Sequence, residues 1–271
     1  MGKGYSLHIG LNEVSRKRYF NKFKLNAPEN DAKAMQGIAD MKGFKSTLLL
    51  TQAATAGAVI SYISKKSAEL VSGDYLLITF SGHGRSWRDY APGEDEQDGR
   101  DETWCLYDRM LIDDEIYLLC SRFAKGIRIL FISDSCHSGT VLALMSAPQT
   151  DNINIKTIPE EAMLKAIDQT PSEYSAAKFL AWSDREIEAE ASIELLAACQ
   201  DEEKAFDGTP YSYFTEHILK VWQDGAFEGS LPEFYLQIKN SMNAGPLHQV
   251  PQRLSLGRPH PKFSSGDPFA I

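Results

Sequence analysis

Two uninterrupted apolar runs, Asp74–Phe80 (DYLLITF) and Ile127–Ile132 (IRILFI), constrain this chain most. Neither alternates apolar with polar residues. A strand that is apolar on both faces must be covered on both, which is the condition of a parallel sheet between two helical layers. The rest of the pattern agrees. Tyr5–Leu11, Phe44–Leu50 and Ser192–Ala198 read as further strands. Asn30–Asp40 (with Asn30 as cap), Thr55–Leu70, Asp113–Phe123, Glu160–Ile167, Tyr213–Trp222 and Leu231–Met242 read as helices. Trp104–Leu111 reads as a strand or hairpin, Arg85–Glu102 as a Gly-rich acidic loop, and Thr170–Tyr174 as a loop. Gln249–Leu256 is expected as the last strand, at an edge, because Pro251 cannot donate to a ladder. In such sheets the chemistry sits beyond the carboxyl ends of the strands.

Both founding strands end in a reactive motif. Ser81-Gly82-His83-Gly84 follows the first, and Asp134-Ser135-Cys136-His137-Ser138-Gly139 follows the second. If the strands are neighbours, His83 and Cys136 lie side by side. A thiol with a reference pKa of about 8.5 needs a base to become a good nucleophile. An imidazole can take its proton and return one to a leaving amine. The Gly84 and Cys136 N–H groups are the candidate donors to the oxyanion. A single Cys after a buried strand is most often a core residue, and a single loop His is most often solvated. A Gly-framed His and a Gly-followed Cys on two strand ends form a much rarer pair. A phosphatase loop would need an Arg about six residues after the Cys, where this chain has Leu142. A glutamine amidotransferase would place its His after the nucleophile, and His217 and His248 lack a comparable glycine frame.

Composition narrows the partners. The net charge of −9 argues against nucleic acid as the main partner. No apolar run reaches 18 residues, so no membrane span is expected. The N-terminus lacks a signal-peptide core. Cys105, Cys120, Cys136 and Cys199 include no CxxC pair and read as free thiols of a cytoplasmic protein.

Taken with Asn30-Asp31-Ala32, Asp95–Glu102, Ile112–Glu115 and Ala197–Asp201, the two motifs resemble the caspase-like clan, and within it the metacaspases and their bacterial relatives. Six motifs agree in order, over residues 5 to about 256. The Q-A-C-x-G signature of true caspases is absent. The resemblance implies one caspase-like domain over 1–271: a three-layer α/β/α sandwich with about six mostly parallel strands. Residues 1–146 would be the large-subunit-like part, 147–191 a linker and 192–271 the small-subunit-like part. It implies a cysteine endopeptidase working through a thioester, with Cys136 and His83 as the dyad and Gly84 completing the oxyanion hole. It also implies an S1 pocket of Asp31, Ser81 and Asp134 for Lys or Arg, a protein or peptide substrate and a monomer. Bland readings of these residues are a helix N-terminal charge for Asp31 and a structural acceptor for Asp134. A Cys that some members carry in the pocket is here Pro28. Asp98, Asp113 and Asp114 match three positions of the family's calcium cluster, the fourth being Ala143, so calcium is a candidate modulator while the chemistry requires no cofactor. The linker lysines and arginine Lys156, Lys165, Lys178 and Arg185 are candidate self-cleavage sites. The alternatives are a silent caspase-like binding module and a different cysteine enzyme, such as an amidohydrolase or acyltransferase.

Overall fold

The computed structural model describes residues 2–88, 100–136, 154–169, 174, 188–200 and 204–271. Its centre is a six-stranded sheet in the order β2-β1-β3-β7-β8-β9. The strands are β1 (Gly4–Gly10), β2 (Lys45–Leu50), β3 (Tyr75–Ser81), β7 (Arg128–Asp134), β8 (Ser192–Ala197) and β9 (Gln252–Gly257). All adjacent pairs are parallel except β8–β9, which places the Pro251-preceded strand antiparallel at an edge, as expected. The two apolar runs are the central β3 and β7, buried at every position.

Helices cover both faces. α2 (Pro28–Met41), α6 (Tyr213–Trp222) and α7 (Leu231–Asn243) share one apolar cluster with Tyr75, Leu77, Leu130 and Ile132. α3 (Ala56–Glu69) and α4 (Asp113–Cys120) share the other with Leu76, Ile78, Ile129 and Phe131. The alternation of neighbours along each strand is the pleat seen from its two sides. α1 (Arg16–Tyr19), α5 (Glu160–Gln169) and α8 (Pro261–Ser265) are peripheral.

Two sequence expectations are corrected. The expected loop Arg85–Glu102 holds strands at both ends. β4 (Gly84–Arg88), β5 (Arg100–Cys105) and β6 (Met110–Ile112) form a small antiparallel sheet beyond the end of β3. Polar residues at a sheet rim gave β4 no apolar period to detect. Asn30 does not cap α2. The helix starts at Pro28, and the preceding Asn26 and Ala27 N–H groups donate to the Asp207 carboxylate at 2.8 and 3.0 Å. Proline is suited to that first position because it has no N–H to satisfy. The cap arrives from a residue far along the chain, which no local pattern reports. One consequence is positional: Asp31 falls in the first helical turn, buried and aimed at the carboxyl end of the sheet.

Candidate active site at the carboxyl edge of the sheet

In the β3–β7 ladder Ser81 stands opposite Asp134. His83 and Cys136 each follow two residues later, so parallel register alone brings both motifs to one edge. Both side chains are buried, His83 at 4% and Cys136 at 0% exposure. His83 Nε2 lies 2.6 Å from the Phe23 carbonyl, whose residue adopts a left-handed φ of 41°. That contact fixes the ring and directs Nδ1 inward, where it makes no hydrogen bond among the described residues. Burial pushes the His83 pKa down to about 4, with the Phe23 carbonyl opposing. The imidazole is therefore neutral at pH 7, the form that can accept a proton.

The Cys136 sulfur is turned towards Ala205. It accepts the Ala205 N–H at 2.9 Å and donates to the Ala205 carbonyl at 3.4 Å. Gly84 is packed against the same turn. A Cβ at Gly84 would lie 2.3 Å from the Cys136 carbonyl oxygen and 3.0 Å from Ser135 Cβ, so only glycine allows this approach.

Residues 154–158 run through the cleft. Ile155 bridges Phe206 in antiparallel fashion and Thr157 bridges Gly84 in parallel. Asp207 N–H donates to the Asn154 carbonyl at 2.8 Å, and Lys156 N–H to the Ala205 carbonyl at 3.0 Å. The Lys156 carbonyl oxygen accepts from Gly84 N–H at 3.0 Å and from Cys136 N–H at 3.4 Å. These are the two donors read from the sequence as an oxyanion hole, converging on one carbonyl.

The Lys156 side chain fills the predicted S1 residues. Its ammonium lies 2.8 Å from Asp134 Oδ1, 2.8 Å from Ser81 Oγ, 3.0 Å from the Asp134 carbonyl and 3.5 Å from Asp31 Oδ2. Lys156 is fully buried. Burial alone would lower its pKa, but the Asp134 and Asp31 carboxylates outweigh it and hold it above the ordinary value. Asp31 is also pushed up, to about 6, first by burial, against the pull of Lys156 and with the Asp134 charge adding to the rise. Two residues that the sequence reading missed brace the acids. Ser212 donates to Asp31 through N–H at 3.0 Å and Oγ at 2.6 Å, and Thr215 donates to Asp134 Oδ2 through Oγ1 at 2.8 Å. Both stand at the start of α6, whose N-terminal end favours negative charge. Ser-x-x-Thr before an apolar helix was the available signal.

The other predicted residues fall elsewhere. Asp113 and Asp114 open α4, whereas Asp98 and Ala143 lie outside the described residues. Among the described residues, no three acidic, His or Cys side chains gather to hold a metal. Lys165 is on α5, paired with Glu161, and Lys178 and Arg185 lie outside the described residues. All four cysteines are free thiols, and no helix among the described residues is long and apolar enough to cross a membrane.

Comparison with known proteins gives concordant matches. The family model described as "Caspase domain" matches residues 10–260. Metacaspase-1 of Arabidopsis thaliana is 37% identical over 141 residues, covering 46% of this chain and 38% of the relative. Metacaspase III c of Phaeodactylum tricornutum is 35% identical over 156 residues, covering 53% and 45%. The chain thus spans less than half the length of these two curated relatives. A crystal structure of a Geobacter sulfurreducens protein superimposes with a TM-score of 0.84 at 37% identity, covering 99% of each chain.

Proposed function

Since the chain belongs to the caspase-domain family, we propose that it is a cysteine endopeptidase cleaving after Lys or Arg, and that its own Lys156–Thr157 bond is one of its substrates. The observation that carries this reading is Lys156. A lysine ammonium is otherwise costly to bury, and here two carboxylates and a hydroxyl receive it. The carbonyl of the same residue rests on two convergent N–H groups beside a cysteine. A guanidinium could use the same pair of carboxylates through several donors.

The chemistry follows from these positions. Cys136 sulfur attacks the carbonyl carbon after Lys or Arg while its proton passes to His83. Negative charge on the carbonyl oxygen is held by the Gly84 and Cys136 N–H groups. His83 returns the proton to the leaving amine, which departs and leaves a thioester. Water then attacks the thioester with His83 as base, freeing the new carboxylate. The attack requires Cys136 sulfur to rotate away from Ala205, its partner in the intact chain. Calcium is proposed as a modulator acting through the acidic residues Asp98, Asp113 and Asp114.

Incubating the wild-type chain beside a Cys136→Ala variant, with calcium or with a chelator, tests the reading. Wild type should yield a fragment whose N-terminus is Thr157, and should hydrolyse Lys and Arg fluorogenic amides but not Asp amides. Intact bands for both proteins in every condition, together with inert amides, would sink it.

A further inference from the structure

Downstream of Lys156 the chain is built into the body. Thr157 pairs with Gly84, the first residue of β4. The next β4 residue, Arg85, is 3% exposed, and its Nη1 donates to the Ile158 carbonyl at 2.8 Å. The Ile158 side chain is fully buried in a cluster with Val14, Tyr19, Cys105 and Met110, closed from outside by Met163 of α5. Burial pushes the Cys105 thiol up to about 12, so this wall carries no charge at neutral pH. Arg85 also reaches Glu160 at 3.4 Å, but Glu160 is exposed and this pair adds little. A buried guanidinium thus holds the peptide carbonyl two residues after the Lys156 carbonyl that meets the Gly84 and Cys136 N–H groups.

Resting on the protease reading above, we propose a second specificity site on the leaving-group side of the cleft. It is an apolar pocket for the side chain two positions after the cleaved bond, with Arg85 holding that residue's carbonyl. The substrate class is a peptide with Lys or Arg at the cleaved position and a branched aliphatic residue two positions later. Ile158 is the chain's own occupant, and a foreign substrate takes its place when the segment withdraws. Arg85 is a substrate-positioning residue, since it touches the peptide away from the reacting atoms.

Internally quenched peptides copying residues 152–161 (NINIKTIPEE), with Ile, Val, Gly or Asp at the position of Ile158, test the pocket on the wild-type full chain. A lysyl amide with no residue after the cleaved bond runs in parallel. The expected result is a kcat/KM about tenfold higher for Ile and Val than for Gly, and lowest for Asp, in line with discrimination by small apolar pockets. Arg85→Met should lower the ratio of peptide to amide hydrolysis. Four peptides cleaved within twofold of one another, with the amide also cleaved, would overturn the pocket and leave the protease standing. If neither the amide nor any peptide is cleaved, both readings fall.

Discussion

Lys156→Met, made in a Cys136→Ala background so that no chain is cut, isolates what the buried lysine does. Methionine keeps the length of the side chain and removes its charge. The variant leaves Asp31 and Asp134 facing each other, at 1% and 2% exposure, without their cation. Removing one partner of a buried ion pair typically costs about 3–5 kcal/mol. Here the loss depends on pH. Asp31 already titrates near 6 with the lysine in place. Without it, the Asp31 pKa must rise further, and a proton can substitute for the missing cation. A carboxyl whose folded pKa lies above its unfolded value binds more protons when folded, so stability grows as pH falls through the folded pKa. Both proteins gain alike below about pH 6, whereas only the variant gains between 6 and its own higher pKa. The deficit should be full at pH 8.5 and narrower at pH 5.5, at about 1.4 kcal/mol per unit of extra shift. Urea denaturation at the two pH values measures it. Equal deficits at both values, or a deficit below about 1 kcal/mol at pH 8.5, would refute the idea that the two acids hold this lysine as a buried ion.

Other substitutions separate the parts of the site. Gly84→Ala should lower kcat on Lys amides by about 10²- to 10³-fold, because a Cβ there collides with the Cys136 carbonyl and displaces a donor to the oxyanion; an unchanged kcat would remove Gly84 from the hole. Ser212→Ala deletes a 2.6 Å donor to Asp31 and should raise KM for Lys and Arg substrates by about tenfold, the scale of one bond to a charged group; circular dichroism checks that α6 survives. Affinity for a Lys substrate should weaken as pH falls towards about 6, because Asp31 in the emptied pocket lacks its cation and takes up a proton at higher pH than with Lys156 in place, and Asp31→Asn should flatten that limb. A KM independent of pH between about 6 and 8 would contradict it.

The sheet was legible because its evidence is local and redundant. DYLLITF and IRILFI are apolar without alternation, and only a doubly covered strand accommodates that. Parallel neighbours whose motifs begin at matching positions then bring both motifs to one edge of the sheet. What stayed hidden depends on partners distant in sequence. α2 starts at Pro28 because Asp207 takes the preceding N–H groups. His83 is oriented by a main-chain carbonyl, that of Phe23, which carries no side-chain signature. Asp31 and Asp134 could be read as a pocket, yet the two hydroxyls that brace them come from the start of α6. Lys156 stood in a polar stretch as one of four candidate residues. Its position relative to the pocket is set by backbone pairing with Ala205 and Asp207, which favours no particular side chain.

The same contacts that make Lys156 resemble a substrate also restrain Cys136, the proposed nucleophile. The Cys136 sulfur faces the Ala205 N–H at 2.9 Å and the Ala205 carbonyl at 3.4 Å, and burial keeps His83 neutral at pH 7. A sulfur held towards Ala205 must turn before it can pass a proton to the imidazole and attack. Ala205 couples the two halves of this arrangement, since its carbonyl also receives the Lys156 N–H. Departure of residues 154–156 removes that hydrogen bond and opens the cleft to water and reagents. Iodoacetamide should therefore modify Cys136 in the intact chain far more slowly than a free cysteine at pH 7, and at least tenfold faster once the 156–157 bond is cut. Peptide mass mapping separates Cys136 from Cys105, Cys120 and Cys199, all buried and serving as internal controls. Labelling of Cys136 at the rate of free cysteine before any cleavage would show that Ala205 and Lys156 do not restrain it.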